Sequence, residues 1–309
     1  MTNSFLEKQI KIFFPKMNIL ETYSGTAALI TILGVLKEKN KNKNEVIIPS
    51  VACPAILFAV NFLNLKPVFV DMNLKNFNMN FIDTKKKTSL KTLAVIQVHC
   101  FGIVSEIEKV KKYLIKKDIF LIEDACLVFG GKLNSSYLGS YGDASILSFG
   151  YDKILSYKGG ALLIKSKLMY KKCKVYLTKN KNLNKEKIEK KNFLSKIKKL
   201  DNEIKYRKKI AKFINENLIN KSFIKPRYNK KDIYWRYPLI FKGNREKLIE
   251  RAKRKKILIT KHYPAMSRYQ NNLKLKNADI MDKQIINLFV TRQKNKSYIK
   301  KAVNFLNNY

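Results

Sequence analysis

Lys153 closes the run Ser148-Phe149-Gly150-Tyr151-Asp152-Lys153, and Asp124 closes Ile122-Glu123-Asp124 upstream of it. A lysine amine condenses with an aldehyde to give an imine, and a buried carboxylate keeps a pyridine nitrogen protonated, so that the ring withdraws electrons. Each residue follows an apolar stretch that reads as a buried strand, residues 119–122 before Asp124 and 144–149 before Lys153. Open α/β sheets collect their ligands beyond the carboxyl ends of such strands. The pair is therefore what pyridoxal 5'-phosphate (PLP) requires: an amine to anchor its aldehyde and a carboxylate for its ring nitrogen. A lysine whose pKa is lowered by its surroundings could also shuttle a proton once freed from the cofactor. Lys158, beside Gly159-Gly160, is the rival amine and reads as exposed.

A phosphate group wants unpaired backbone N–H groups at a helix start together with hydroxyl donors. Gly25 and Thr26 open a helical pattern over residues 26–38, and Ser148 opens the lysine run, so the three can supply both. Farther along, Arg236 follows Trp235 and offers a guanidinium fork for a carboxylate or pyrophosphate. His99 ends an apolar run and reads as a satisfied core histidine.

The elements that must position these groups alternate between helical and strand patterns, which argues for a mostly parallel sheet covered on both faces. Strands are expected at residues 45–48, 68–71, 93–98, 119–122 and 144–149, and helices at 26–38, 53–63 and 106–117. Residues 130–142, rich in Gly, Ser, Asn and Tyr, read as a hairpin. Past residue 164 the chain becomes lysine-dense to residue 199, as a solvated helical excursion or an insertion. A helix at 193–218, a strand at 235–241 and helices at 246–256 and 298–306 then suggest a small α+β domain. The expected organisation is a large cofactor-binding domain over 1–164 and a helical excursion plus small C-terminal domain over 165–309.

At 309 residues and 46% apolar content the chain can bury a substantial core. Its net charge of +41 would ordinarily suggest a polyanionic partner. That inference is discounted, because arginine is absent before Arg207 and the excess lysine travels with Asn and Ile along the whole chain, the pattern of an A/T-rich genome. Specific nucleic-acid readers favour arginine's bidentate fork. The field should still draw in anionic ligands. Four cysteines without a CxxC pair point to a reduced, cytoplasmic protein, and two histidines make a His-rich metal site unexpected. The long apolar window 46–63 is broken by Pro49 and Pro54, which fits a strand, a turn and a helix better than a membrane span.

From residue 23 to about 164 a series of segments resembles the DegT/StrS family of PLP-dependent sugar aminotransferases, in the family's order. They are Ser24-Gly25-Thr26-Ala27-Ala28-Leu29, Glu45-Val46-Ile47-Ile48-Pro49-Ser50, Pro67-Val68-Phe69-Val70-Asp71, Val98-His99-Cys100-Phe101-Gly102, Ile122-Glu123-Asp124-Ala125, Gly139-Ser140-Tyr141-Gly142-Asp143, the lysine run and Gly159-Gly160-Ala161. The resemblance implies the α/β fold of type I PLP-dependent transferases, with a mostly parallel sheet in the large domain. It also implies an amino transfer from an amino acid, glutamate being the expected donor, to a nucleotide-linked keto-sugar in polysaccharide or amino-sugar biosynthesis. By the same resemblance Lys153 is the anchoring lysine, Asp124 the ring-nitrogen partner, Gly25, Thr26 and Ser148 the phosphate holders, His262-Tyr263 a signature at the substrate entrance, and the protein a homodimer. Three features depart from the family. Cys53 stands where an aromatic residue commonly stacks on the cofactor ring, Leu127 where a glutamine commonly supports it, and no Asn-Tyr-Arg segment is recognisable between residues 165 and 200. These departures motivate a second reading, a PLP-fold protein without transaminase activity that serves a regulatory or structural role.

Overall fold

The structure, a computed structural model, describes residues 4–184, 190–270 and 273–309. Part of the lysine-dense segment read from sequence, residues 185–189, lies outside them.

Seven strands build the central sheet: β1 (Asn18–Thr22), β2 (Glu45–Pro49), β3 (Lys66–Val70), β6 (Thr92–Val98), β7 (Phe120–Asp124), β10 (Ala144–Ser148) and β11 (Gly160–Ile164). Their spatial order is β1-β11-β10-β7-β6-β2-β3, parallel from β3 through β10 and antiparallel at β11 and β1. Two hairpin ribbons sit outside it, β4 (Met72–Asn73) with β5 (Asn78–Met79), and β8 (Lys132–Leu133) with β9 (Ser136–Tyr137). The second ribbon lies within the hairpin expected at 130–142.

Side chains alternate across a strand, so each apolar run feeds two cores. Val46, Ile48, Ile96 and Ile122 join the core under α2 (Gly25–Lys39) and α3 (Ala55–Phe62). Ile47, Val95 and Leu121 join the opposite core, with Leu6 and Ile10 of α1 (Phe5–Phe13) and Ile107, Val110 and Leu114 of α5 (Ile107–Ile115). Helix α4 (Phe81–Lys87) precedes β6. Helix α2 buries an unbroken run from Ala27 to Leu36, which is why its sequence is apolar on every side.

Beyond β11, α6 (Lys167–Lys179) buries Met169, Cys173 and Leu177, one helical stripe, and packs on α2. Then come α7 (Lys190–Lys198) and α8 (Leu200–Asn217). A four-stranded sheet of order β12-β13-β15-β14 completes the chain from β12 (Phe223–Ile224), β13 (Tyr237–Phe241), β14 (Ile259–Thr260) and β15 (Ile285–Leu288), all antiparallel. Helices α9 (Arg245–Arg254), α10 (Lys276–Gln284) and α11 (Lys296–Asn307) accompany it. No helix among the described residues is long and apolar enough to cross a membrane, and the window 46–63 is β2, a turn and α3.

One buried carboxylate joins the segment before β13 to the loop between β6 and α5. Asp232 is 1% exposed; its Oδ1 accepts the Val104 N–H at 2.9 Å, and its Oδ2 has no partner among the described residues. Burial pushes its pKa from 3.8 up to about 6. The folded state thus binds the proton more tightly than the unfolded chain, so this group's contribution is fully present at low pH and is lost as pH rises through 6. Asp232→Asn keeps the acceptor for Val104 and removes the charge. It is expected to raise the unfolding free energy by about 1–3 kcal/mol near pH 8, a gain that shrinks toward pH 4 in urea titrations.

Candidate active site

Asp124 is the last residue of β7, paired in register with Val98 of β6 and Ile146 of β10. It lies at the carboxyl edge of the parallel strands, as sheet topology demands of a ligand site. The residue is 7% exposed, and its Oδ1 accepts the Cys126 N–H at 3.0 Å. Lys153 sits half-buried in the loop that joins β10 to β11. The Cys126 thiol lies within the influence of both: burial and the Asp124 charge push its pKa up, and the Lys153 charge opposes the rise. The charges of the lysine and the aspartate thus both bear on one thiol.

The start of α2 lies against the same thiol. A Cβ added to Gly25 would lie 3.0 Å from the Ser148 Cβ and 3.2 Å from the Cys126 sulfur, and one added to Gly160 would lie 2.6 Å from the Gly25 nitrogen. Only residues without side chains let the helix start come this close to the ends of β10 and β11. Ser24 caps α2 by accepting the Ala27 N–H at 3.1 Å, which leaves the N–H groups of Gly25 and Thr26 without intrahelical partners. Unpaired amides at a helix N-terminus are groups to which anions bind, and Ser148 stands beside this one.

An aromatic wall stands across from these groups. The 3-10 turn Cys100–Gly102 follows β6, and Gly102 at φ +80 accepts from the Ile233 and Tyr234 N–H groups at 2.8 and 3.1 Å, which seats the segment before β13 against the site. Trp235 follows, with the Lys153 Nζ 5.8 Å from its ring centroid. Tyr263 stacks on Trp235 at 6.0 Å and 10°. Burial raises the Tyr263 phenol pKa, with added contributions from Cys53, Asp124 and Cys100, so Tyr263 belongs to the same cluster. Cys53, in the turn before α3, is half-buried. His262 is exposed and packs edge-on against Trp235 at 6.5 Å; partial desolvation of its ring and the nearby Arg236 lower its pKa.

Of the residues singled out from sequence, the structure sets Gly25, followed by Thr26, against Ser148 and the Cys126 sulfur; the charges of Asp124 and Lys153 bear on that thiol, as does Cys53, and Cys53 and Asp124 bear on Tyr263, while Lys153 also lines a cavity with Asp152, Glu203 and Arg207 and His262 is exposed beside Trp235. Lys158 is exposed. Arg236 precedes β13, is 1% exposed and spends its fork on a carboxylate of this chain, Asp152. His99 is fully buried between the Glu123 carboxylate and the Ser105 N–H, each at 3.0 Å, as a core histidine. Leu127 is buried at 6%. Asp152, Trp235 and Cys126 were not identified from sequence as site residues. Their signals were slight: Trp235 is the chain's single tryptophan, and Cys126 stands two residues after Asp124. Among the described residues no group of three His, Cys, Asp or Glu side chains could hold a metal ion.

The donor set fits PLP on chemical grounds. A carboxylate waits at a strand end, an amine at the neighbouring strand's loop, and free helix amides with a hydroxyl form a cradle that a Cβ at Gly25 would fill.

The family model for the DegT/DnrJ/EryC1/StrS aminotransferases matches residues 2–307. GDP-perosamine synthase of Escherichia coli O157:H7 is 31% identical over 151 residues, 48% of this chain and 41% of that protein. GDP-4-keto-6-deoxy-D-mannose 3-dehydratase of Yersinia pseudotuberculosis is 29% identical over 169 residues, 53% of this chain and 43% of that protein. The matched stretches thus span less than half the length of these curated relatives. Among solved structures, Helicobacter pylori PseC, an aminotransferase of pseudoaminic acid biosynthesis, superposes with a TM-score of 0.88 at 20% identity, covering 99% of this chain and 91% of that one. The sugar aminotransferase CalS13 of Micromonospora echinospora gives 0.86 at 16% identity, covering 98% and 90%. These likenesses establish the fold of PLP-dependent transferases of type I. With a family match running nearly end to end, the chain belongs to the DegT/DnrJ/EryC1/StrS aminotransferase family.

Proposed function

We propose that this protein is a PLP-dependent aminotransferase that moves an amino group from an amino acid, with glutamate the expected donor, to a keto-sugar carried on a nucleotide, in polysaccharide or amino-sugar biosynthesis. The observation that carries the reading is that Asp124 ends β7 and Lys153 follows its parallel neighbour β10 at the same edge of the sheet, where the opening of α2 at Gly25 lies against Ser148. Bound PLP would supply an aldehyde and an electron-withdrawing ring. The Lys153 Nζ would anchor that aldehyde and, once displaced by the donor amine, carry the proton between the substrate carbon and the cofactor's C4'. The Asp124 carboxylate would keep the ring nitrogen protonated. The Gly25 and Thr26 N–H groups and the Ser148 hydroxyl would hold the phosphate.

The sugar class rests on relatives such as the GDP-perosamine synthase and the dTDP-4-amino-4,6-dideoxy-D-glucose transaminase of Shigella dysenteriae, 30% identical over 168 residues. The protein's net charge of +41 suits an anionic nucleotide sugar, whose capture should weaken with salt. A homodimer in the cytoplasm completes the reading; the four cysteines are all free thiols, as a reducing compartment would keep them.

The test is the absorption spectrum of purified protein loaded with PLP, with and without glutamate. Loss of the visible band on adding glutamate is expected. A visible band that persists through glutamate and other amino donors would favour the second reading, a PLP-fold protein without transaminase activity, to which Cys53 and Leu127 lend weight.

A further inference from the structure

We propose that Arg236 is a positioning residue for Lys153: with Trp235 it latches Asp152 and thereby fixes the loop that presents the lysine. This inference rests on the role given to Lys153 above.

The loop between β10 and β11 is tied at its neck by the Phe149 N–H, which donates to the Gly159 carbonyl at 2.9 Å. Its middle is held from the segment before β13. The Arg236 Nη2 donates to the Asp152 Oδ2, and the Trp235 Nε1 donates to the Asp152 carbonyl at 2.5 Å. Asp152 is thus gripped through side chain and backbone together, with its backbone in the left-handed region at φ +69. Lys153 is the next residue, so its Cα has little freedom while the grip holds.

The grip itself is anchored. The Arg236 side chain is 2% exposed against 38% for Asp152. Its guanidinium lies between two rings, 4.4 Å from the Trp235 centroid and 3.7 Å from that of Phe289. The Trp235 carbonyl accepts from the Arg207 Nη1 at 3.0 Å, and Arg207 is in turn paired with Glu203 of α8 at 2.8 Å. Exposed ion pairs contribute little because water satisfies either partner alone. Here one partner is buried and stays charged, so the arginine keeps its need for a carboxylate, and Asp152 is the acid it contacts. The Arg236 Nε has no partner among the described residues, which leaves the pair with Asp152 as its one ionic tether.

Asp152→Asn and Arg236→Gln in the full-length protein test the latch through two readouts that do not depend on turnover. The first is emission of Trp235, the sole tryptophan, recorded without cofactor. Both variants are expected to shift it to the red and raise its quenching by acrylamide, because Trp235 is 4% exposed while latched. The second is borohydride trapping of added PLP followed by peptide mass spectrometry. The fraction trapped at Lys153, relative to the chain's other lysines, should fall about tenfold in both variants and recover in Asp152→Glu. Asp152→Asn alters a half-exposed side chain and reads the latch even if Arg236→Gln does not fold. Wild-type emission and wild-type trapping at Lys153 in Asp152→Asn would overturn the proposal. Wild-type protein that traps no PLP at Lys153 would instead remove the function itself, a result the emission measurement distinguishes.

Discussion

Lys153→Ala is expected to lose the visible absorption of PLP-loaded protein and to slow amino transfer by on the order of a thousandfold or more. The magnitude follows from the double use of one amine. It anchors the cofactor covalently, and removal of a positioned proton carrier alone costs roughly 10²–10⁴-fold. Trp235 and Arg236 hold this loop through Asp152 and not through the Lys153 side chain, so the alanine variant should keep its fold. Lys158→Ala provides the control. Lys158 is exposed on the same loop, and its loss should leave band and rate unchanged. A Lys153→Ala protein that keeps the band would move the anchoring amine elsewhere.

The reason Lys153 was recognisable in advance is that its two supports are strong patterns. Residues 144–148 and 120–124 are buried on nearly every side and flank one another in the sheet, so their apolar runs stand out from a lysine-rich background. Helix α2 was legible for the same reason. Strand β1 was not, because Asn-Ile-Leu-Glu-Thr is short and mixed and becomes a strand only by pairing with β11, whose residues lie far along the chain. Strand β15 was hidden differently: it follows α10 without a break, so no turn residue announces it. The lysine-dense stretch conceals a real amphipathic helix, α6, whose Met169, Cys173 and Leu177 form too thin a stripe to stand out among its lysines.

Long-range pairing also explains the surroundings of Arg236. The sequence offers its guanidinium fork to a carboxylate or pyrophosphate, and nothing nearby in the chain names the carboxylate. Asp152 supplies it from a distant loop. The departures at Cys53 and Leu127 acquire a physical context in the same way. Tyr263 and Trp235 reach the neighbourhood of Cys53 from the C-terminal part of the chain, so aromatic surface is present near the site although position 53 lacks it. A thiol at that position leaves the space open instead of filling it with a ring.

The residue next to Asp124 carries the largest expected effect on stability. Glu123 is fully buried and accepts five hydrogen bonds: from the His99 Nε2 at 3.0 Å, the Gly139 N–H at 2.7 Å, the Tyr141 N–H at 2.7 Å, the Gly142 N–H at 3.1 Å and the Ser145 hydroxyl at 3.3 Å. The Ser105 N–H donates to the His99 Nδ1, so it is the Nε2 that donates to Glu123. Burial alone would raise the carboxyl's pKa, yet the His99 bond and the Gly139 and Gly142 amides together hold it below 4.5. A depressed pKa stabilises the fold above the unfolded value of 4.5, and that contribution is lost as pH falls through the folded value. Glu123→Gln keeps the volume but turns one acceptor into a donor that faces N–H groups. A cost of about 2–5 kcal/mol is expected near pH 7, read by urea unfolding, and it should narrow in acid, where the wild type loses its own advantage. Because Glu123 ties the turn at 139–142 and the end of β6 to the strand that presents Asp124, the variant should also bind PLP more weakly. Unfolding within about 0.5 kcal/mol of wild type would mean that the five donors find other partners and that Asp124 is held by the sheet alone.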